Sequence, residues 1–372
     1  MIKIIFLTLF VTLLSASYRT NKSCSECHQQ IFQEYQSSYH SKTYFNDKLH
    51  RKVANLAASE DHYNCATCHM PSAQNQKELA NGTLKPDSSK QREKDAISCF
   101  YCHQIAYVKK AHLKNKIILT KQIANYKPTL YGSLKNPDES DKHTMTHSPI
   151  YDKYVCSGCH SHKRNTHGTL IFDAMNGKMD SKECIKCHMP LVAGKVEKMN
   201  KKIRTQHHDH SFNGIHNMSM RKKGIELNIH VKNKKIEVSI KNKMPHPLII
   251  QVARLNYLQL NIKRDGKIIW QNYKKSPTED KQGIFKIDFL GADGKPVVIP
   301  AFAYKRGFVN NIKAKETKKL IYNVPDLKDG DIITASMYVI LEKPSCWKTL
   351  NLQDSSLKTP MLLKSKIYTI EK

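Results

Sequence analysis

No apolar run in this chain is long enough to cross a membrane. The longest, Ile4 to Leu14, has eleven residues, against the ~20 a spanning helix needs. Acidic residues are also scarce, with 32 Asp and Glu against 61 Lys and Arg, for a formal charge of +29. Only 9 of the 61 basic residues are arginine. A lysine excess of this kind reflects composition more than a nucleic-acid surface, which would be richer in clustered arginine. The first half is poor in long apolar stretches, so it cannot build a core from its own side chains. Cysteine is not scarce, but almost none is spare. Ten of the eleven fall into a single pattern.

The pattern is Cys-x-x-Cys-His, five times over: Cys24/Cys27/His28, Cys65/Cys68/His69, Cys99/Cys102/His103, Cys156/Cys159/His160 and Cys184/Cys187/His188. Residues three and four apart share a helix face, so two thiols reach the two vinyl groups of one porphyrin while the next imidazole meets the iron. Each motif therefore predicts one covalent c-type haem and its proximal ligand, five haems in all. Zinc ribbons also use Cys-x-x-Cys pairs, but they have no need of histidine after every second cysteine. Five disulfides would leave that histidine equally unexplained. Cys346 alone lies outside the pattern, and it reads as a buried free thiol, with an intermolecular disulfide or reactive thiol as alternatives.

Residues 1–17 carry Lys3, the apolar run and the small residues Ser15-Ala16-Ser17. That is the pattern of a cleaved signal peptide, and it predicts a periplasmic mature protein with no transmembrane span. No cysteine follows the small-residue site, which argues against a lipid anchor. Export agrees with haem attachment and makes nucleic acid an implausible partner. From 18 to 215 the chain carries 30 basic and 18 acidic residues, a surplus that about ten haem propionates would nearly cancel. From 216 to 372 the balance is 30 to 14. The cationic half is the one without motifs.

The expected architecture is α+β with two domains. Residues 18–220 would form a mainly helical and irregular pentahaem domain built around its porphyrins. Within it, the tract 111–142, with Pro128, Gly132 and Pro137, reads as a long connection. Residues 221–372 would form an antiparallel β-sandwich. Ile225, Leu227, Ile229 and Val231 alternate with polar residues, a turn follows at 232–235, and Ile236, Val238 and Ile240 repeat the alternation, as a hairpin requires. Further strands are predicted over 255–262 and 267–270 across Asp265-Gly266, then 284–290, 297–299, 320–324 and 332–341.

Nineteen histidines less five proximal ones leave a surplus for the distal iron positions. His40 lies twelve residues after His28, about 18 Å along a continuing helix, too far for its own haem. It should cross to a neighbour. His112, nine after His103, and His147, nine before Cys156, invite the same reading. His210 is taken from the cluster His207, His208, His210 and His216 that follows the last motif. His246 is held between Pro245 and Pro247 at a strand boundary, from where it could reach back to a haem. These five are the distal candidates, ahead of His50, His62, His143, His162 and His167.

Several segments resemble cytochrome c-554-like multihaem cytochromes. Tyr35-x-x-Ser38-x-His40 is similar to a Trp-x-x-Ser-x-His element after the first motif of that family. Cys65 to Pro71 and Cys184 to Pro190 resemble its Cys-x-x-Cys-His-Met-Pro motifs, and His210-x-Phe212-x-Gly214-x-His216 its His-x-Phe-x-Gly-x-His element. Asn242 to Arg254, with His246, is similar to a segment of relatives that carry an added C-terminal β-domain, although Pro245 and Pro247 depart from the family pattern, as Tyr35 does. The resemblance implies electron transfer, with some branches acting as nitrogen- or sulfur-oxyanion reductases or hydroxylamine oxidases. The expected function is electron relay between redox proteins, periplasmic or membrane-bound, such as a quinol dehydrogenase and a terminal reductase. The alternative is a haem-dependent reductase or oxidase of a small nitrogen or sulfur compound, with one open haem. All five motifs end in histidine and none follows residue 188, which favours the relay. A β-half that serves as a binding module is a third reading.

Overall fold

The structure is a computed structural model and describes residues 18–123, 126–174, 183–194, 202 and 204–371. The expected signal peptide lies outside the described residues. The first half is built from short helices. Helix α1 (Asn21–Ser25) is capped by Thr20, whose side chain accepts from the Ser23 amide, and α2 (Gln29–Ser37) stops at Ser38. A longer helix, α3 (Lys48–Asp61), is capped by Asp47, which accepts from the His50 amide at 3.0 Å. Capping of this kind satisfies backbone donors that have no partner within the helix. Tyr35 ties α2 inward, its hydroxyl donating to the Ile97 carbonyl at 3.0 Å and accepting from Asn21 Nδ2 at 3.2 Å.

Among the described residues, four two-stranded ladders break up the same half. They are β1 (Ile105–Lys109) with β2 (Lys116–Leu119), β3 (Thr129–Gly132) with β4 (Thr144–His147), β5 (His162–Arg164) with β6 (Leu170–Asp173), and β7 (Leu191–Ala193) with β8 (Gln206–His208). The second pair is parallel and the others antiparallel. The tract 111–142 is therefore more than a connection, since β2 and β3 lie within it. Strands of three to five residues carry too little alternation to be read from sequence.

Beyond Arg221 the chain is antiparallel sheet. Strands β9 (Ile225–Lys232) and β10 (Lys235–Asn242) form the expected hairpin, joined by Asn233 and Lys234, both at positive φ. Strands β11 (Leu255–Arg264) and β12 (Lys267–Gln271) turn through Asp265 and Gly266, again both at positive φ. Such turns match the right-handed strand twist. Then come β13 (Ile284–Leu290), β14 (Pro296–Val297), β15 (Lys305–Asn310), β16 (Thr317–Asn323), β17 (Ile332–Ile340) and β18 (Met361–Thr369). The order β16-β10-β9 makes one sheet; β14-β13-β11-β17-β18, with β12 on β11 and β15 on β13, makes the second. Ile236, Val238 and Ile240 from the first sheet and Leu260, Ile262, Phe285 and Ile333 from the second share one core. Strands β15 and β18 were not expected. Both are edge strands with at most one buried residue each, so their sequences carry no clean alternation.

The two halves meet through α3. Ala57 packs with Ile299, Ala301, Cys346, Leu350 and Leu352, and Leu49 and Val53 flank them. Cys346 is buried, and burial pushes its thiol up to about 12, so it is an inert packing thiol rather than a nucleophile. Its neighbour Glu342 is 2% exposed, and burial pushes that carboxyl up to about 7. Above the unfolded carboxyl pKa of about 4.3, the native state keeps a proton that the unfolded chain has lost. Stability should therefore fall as pH rises to about 7, by roughly 4 kcal/mol, and level off beyond it. Denaturant titrations of the Glu342→Gln variant should flatten that slope. An unchanged slope would remove Glu342 as its source.

Candidate haem-binding site

Each motif occupies one helical turn. The i to i+4 amide bonds from His28 to Cys24, His69 to Cys65 and His160 to Cys156 measure 2.9, 3.1 and 2.8 Å. In the third motif Cys99, Cys102 and His103 share the helix Cys99–His103, and in the fifth Cys184, Cys187 and His188 share the helix Glu183–His188. Both cysteines and the histidine of a motif are thereby placed on one side of the backbone. All ten motif cysteines are half-buried. Cys187, which the sequence assigns to the fifth haem, stands there as a half-buried thiol that takes part in no disulfide.

The motifs also touch one another. The thiol of Cys24 is within hydrogen-bonding reach of Cys99, Cys68 of Cys159, and Cys156 of Cys184. The fourth motif thus adjoins the second and the fifth, and its cysteines also feel Cys102 of the third. It sits at the centre of the group.

Every motif histidine faces one further histidine. Ring centroids are 6.2 Å apart for His28 and His143, 6.5 Å for His103 and His210, 5.9 Å for His160 and His40, and 6.5 Å for His188 and His246, with interplanar angles of 24–38°. With a metal–imidazole bond of about 2.0–2.1 Å and a ring nitrogen ~1.1 Å from its centroid, two imidazoles on one iron need centroids ~6.3 Å apart. Four pairs meet that requirement. The fifth, His69 and His50, is stacked at 3.9 Å and would have to part by more than 2 Å to admit an iron.

Backbone carbonyls aim several of these rings. His103 Nδ1 lies 2.6 Å from the Tyr131 carbonyl and His188 Nδ1 2.5 Å from that of Asn213; their partners His210 and His246 use the carbonyls of His208 (2.7 Å) and Pro247 (2.9 Å). A carbonyl can only accept, so Nδ1 carries the proton and the Nε2 lone pair is left for a metal. Nδ1 of His40, His50 and His143 is buried without a partner. Burial holds the imidazoles in the neutral form that ligates, pushing His40 down to about 3 and His50 and His210 to about 4. The donor set, its spacing and its protonation fit an iron porphyrin.

Of the distal candidates read from sequence, His40, His210 and His246 are brought onto a motif histidine, and His112 and His147 are not. His112 is exposed, because the third motif helix ends at His103 and the chain reverses into the β1–β2 hairpin. His147 closes β4, with Nδ1 3.1 Å from the Ser133 carbonyl. In their places stand His143, just before β4, and His50, in the first turn of α3. His207 pairs with Glu34 at 2.7 Å, and His216 stacks on Tyr39 at 4.0 Å.

This fold, with its repeated motifs and facing imidazoles, defines a multihaem c-type cytochrome, an electron-transport protein. Residues 23–104 match the family model for cytochrome c554 and c-prime, so a domain of that family stands at the N-terminus. Over nearly its whole length the chain shares the fold of a penta-haem cytochrome c552 from Thermochromatium tepidum, at a TM-score of 0.71 and 22% identity, covering 95% of this chain and 99% of that one. A superoxide reductase in the oxidized state aligns with 38% of this chain and 86% of its own, at 7% identity and a TM-score of only 0.17. No curated protein matches. Among the described residues no helix is long and apolar enough to cross a membrane.

Proposed function

We propose that this chain is an exported pentahaem cytochrome that relays electrons between a membrane quinol dehydrogenase and a periplasmic redox partner such as a terminal reductase. The observation that carries this reading is the facing histidine at every motif. In it, each motif attaches one haem through its two cysteines: Cys24 with Cys27, Cys65 with Cys68, Cys99 with Cys102, Cys156 with Cys159, and Cys184 with Cys187. His28, His69, His103, His160 and His188 are the proximal ligands, and His143, His50, His210, His40 and His246 the distal ones. Residues 18–220 form the haem domain and residues 221–372 the β-domain.

When bound, each haem supplies a one-electron iron couple that two imidazoles keep low-spin. At the third and fifth motifs both rings are fixed beforehand, His103 and His210, and His188 and His246, each by a backbone carbonyl, so little would rearrange there on electron arrival. The lysine-rich second half offers an acidic partner long-range attraction.

A second reading rests on the stacked His50 and His69. If that haem keeps its sixth position open, the protein becomes a reductase or oxidase of a small nitrogen or sulfur compound. Paramagnetic resonance of the ferric holoprotein and carbon monoxide titration of the reduced form separate the two. The relay requires five low-spin haems and no stoichiometric carbon monoxide binding. One high-spin signal with one equivalent of carbon monoxide would replace the relay by the enzyme.

A further inference from the structure

Away from the facing histidines, a cleft of about 400 Å³ opens between the β5–β6 hairpin and the segment leading into β15. Arg164 and His167 come from the hairpin side, and Tyr304, Lys305 and Arg306 from the other. A buried side chain helps to pin the walls together. Asn165, 2% exposed, donates through Nδ2 to the carbonyls of Pro300, Ala301 and Ala303 at 3.0, 3.2 and 2.7 Å, while its Oδ1 accepts from the amides of His167 and Thr169 at 3.1 and 3.0 Å. All of its capacity is spent on holding the cleft in shape.

The charge inside is unbalanced. Arg164 donates to the Gly168 carbonyl at 2.8 Å and Arg306 to that of Leu170 at 3.0 Å. A guanidinium has five N–H donors, so most of each fork is left over. Among the described residues no carboxylate lies within ion-pair distance of Arg164, Lys305 or Arg306. The carboxylate at the rim, Glu60, is taken by His167 at 2.7 Å, and that imidazole stacks on Tyr304 at 3.9 Å. Burial and the charge of Arg164 hold the Arg306 guanidinium below its usual range, with Asp173 acting in the opposite sense. Gly168, at φ +77°, has open space where a Cβ would point.

Three cations in a cleft with no carboxylate at ion-pair distance among the described residues make a receptor for an anion. We propose that this cleft binds a small oxyanion, of carboxylate, sulfate or phosphate type, through Arg164, Lys305 and Arg306. Its hairpin also touches the fourth motif, since Phe172 of β6 lies 6.3 Å from the His160 ring. The oxyanion therefore has two possible sources, a free anion from solution or a propionate of the haem at that motif. Only the second source rests on the haem assignment above.

The test uses the five-haem protein at low ionic strength, titrated calorimetrically with sulfate, beside Lys305→Gln, Arg306→Gln and Arg306→Lys. A free-anion site gives saturable binding at one equivalent, weakened about tenfold by Arg306→Gln and less by Arg306→Lys, which keeps charge but loses the fork. A propionate site gives no sulfate saturation, but Arg306→Gln lowers the midpoint potential of one haem, because a cation that favours the reduced state is gone. If Arg306→Gln fails to hold its haems, Lys305→Gln, which breaks no hydrogen bond, carries the same comparison. No saturable sulfate binding together with unshifted midpoints would overturn the proposal.

Discussion

The Cys156→Ala, Cys159→Ala double variant should lose much more than the one haem it deletes. The fourth motif adjoins the second through Cys159 and Cys68 and the fifth through Cys156 and Cys184. Its histidine faces His40. The motif turn is also packed so tightly against β2 that a Cβ on Gly158 would meet Ile117 at 2.5 Å. The porphyrin expected here replaces the apolar core that this half lacks, so its removal leaves surfaces on several neighbours unburied. The expected destabilisation exceeds the ~3–5 kcal/mol of truncating a buried aromatic side chain. Haem content, by alkaline pyridine spectra, should fall below four per chain. The matched Cys24→Ala, Cys27→Ala variant removes a peripheral motif and should keep four. Equal haem content and equal melting temperatures in the two variants would remove the central role of the fourth motif.

His246→Ala should open one iron and leave the fold alone. The imidazole makes a single hydrogen bond, from Nδ1 to the Pro247 carbonyl next door. The loop itself is held by Asn242, whose Nδ2 donates to the carbonyls of His246, Ile312 and Lys313 at 2.9, 3.2 and 2.9 Å. The variant should therefore melt close to the parent. Its ferric spectrum should gain a high-spin component of one haem in five, and the reduced form should bind one equivalent of carbon monoxide. A spectrum that stays fully low-spin would mean that His246 is not the residue at the fifth iron. The same substitution at His147, which faces no motif histidine, serves as the control and should change neither signal.

The residues that announce covalent chemistry were plain in the sequence because that chemistry is local. Cys-x-x-Cys-His needs only one helical turn, and the alternation through Ile236, Val238 and Ile240 needs only one strand. The facing histidines depend on distant chain. His143 comes opposite His28 because β4 pairs in parallel with β3, a register that no local pattern encodes. His50 comes opposite His69 because α3 is pressed between the haem half and the turn at 300–302. For His40 the distance argument foretold a departure from its own motif, and the structure supplies the destination, His160. For His112 the same argument assumed a helix that Gln104 ends. The anion cleft had no sequence signal at all, since Arg164 and Arg306 stand 142 positions apart and are brought together by tertiary contacts such as those of Asn165.

The contact between His188 and His246 sets an order of assembly. A chain made from its N-terminus presents all five motifs before residue 246 exists, and early segments tend to fold first. The fifth haem would be attached, and must wait, until the last-made sheets close and deliver its second imidazole. Segments between strands of the same half, around Ala301 and Cys346, brace α3 and hence His50. On the proposed ligation, the second and fifth haems would each need a correctly folded C-terminal half for their facing imidazole, so a truncated or misfolded product would declare itself by a carbon monoxide-binding, high-spin signal.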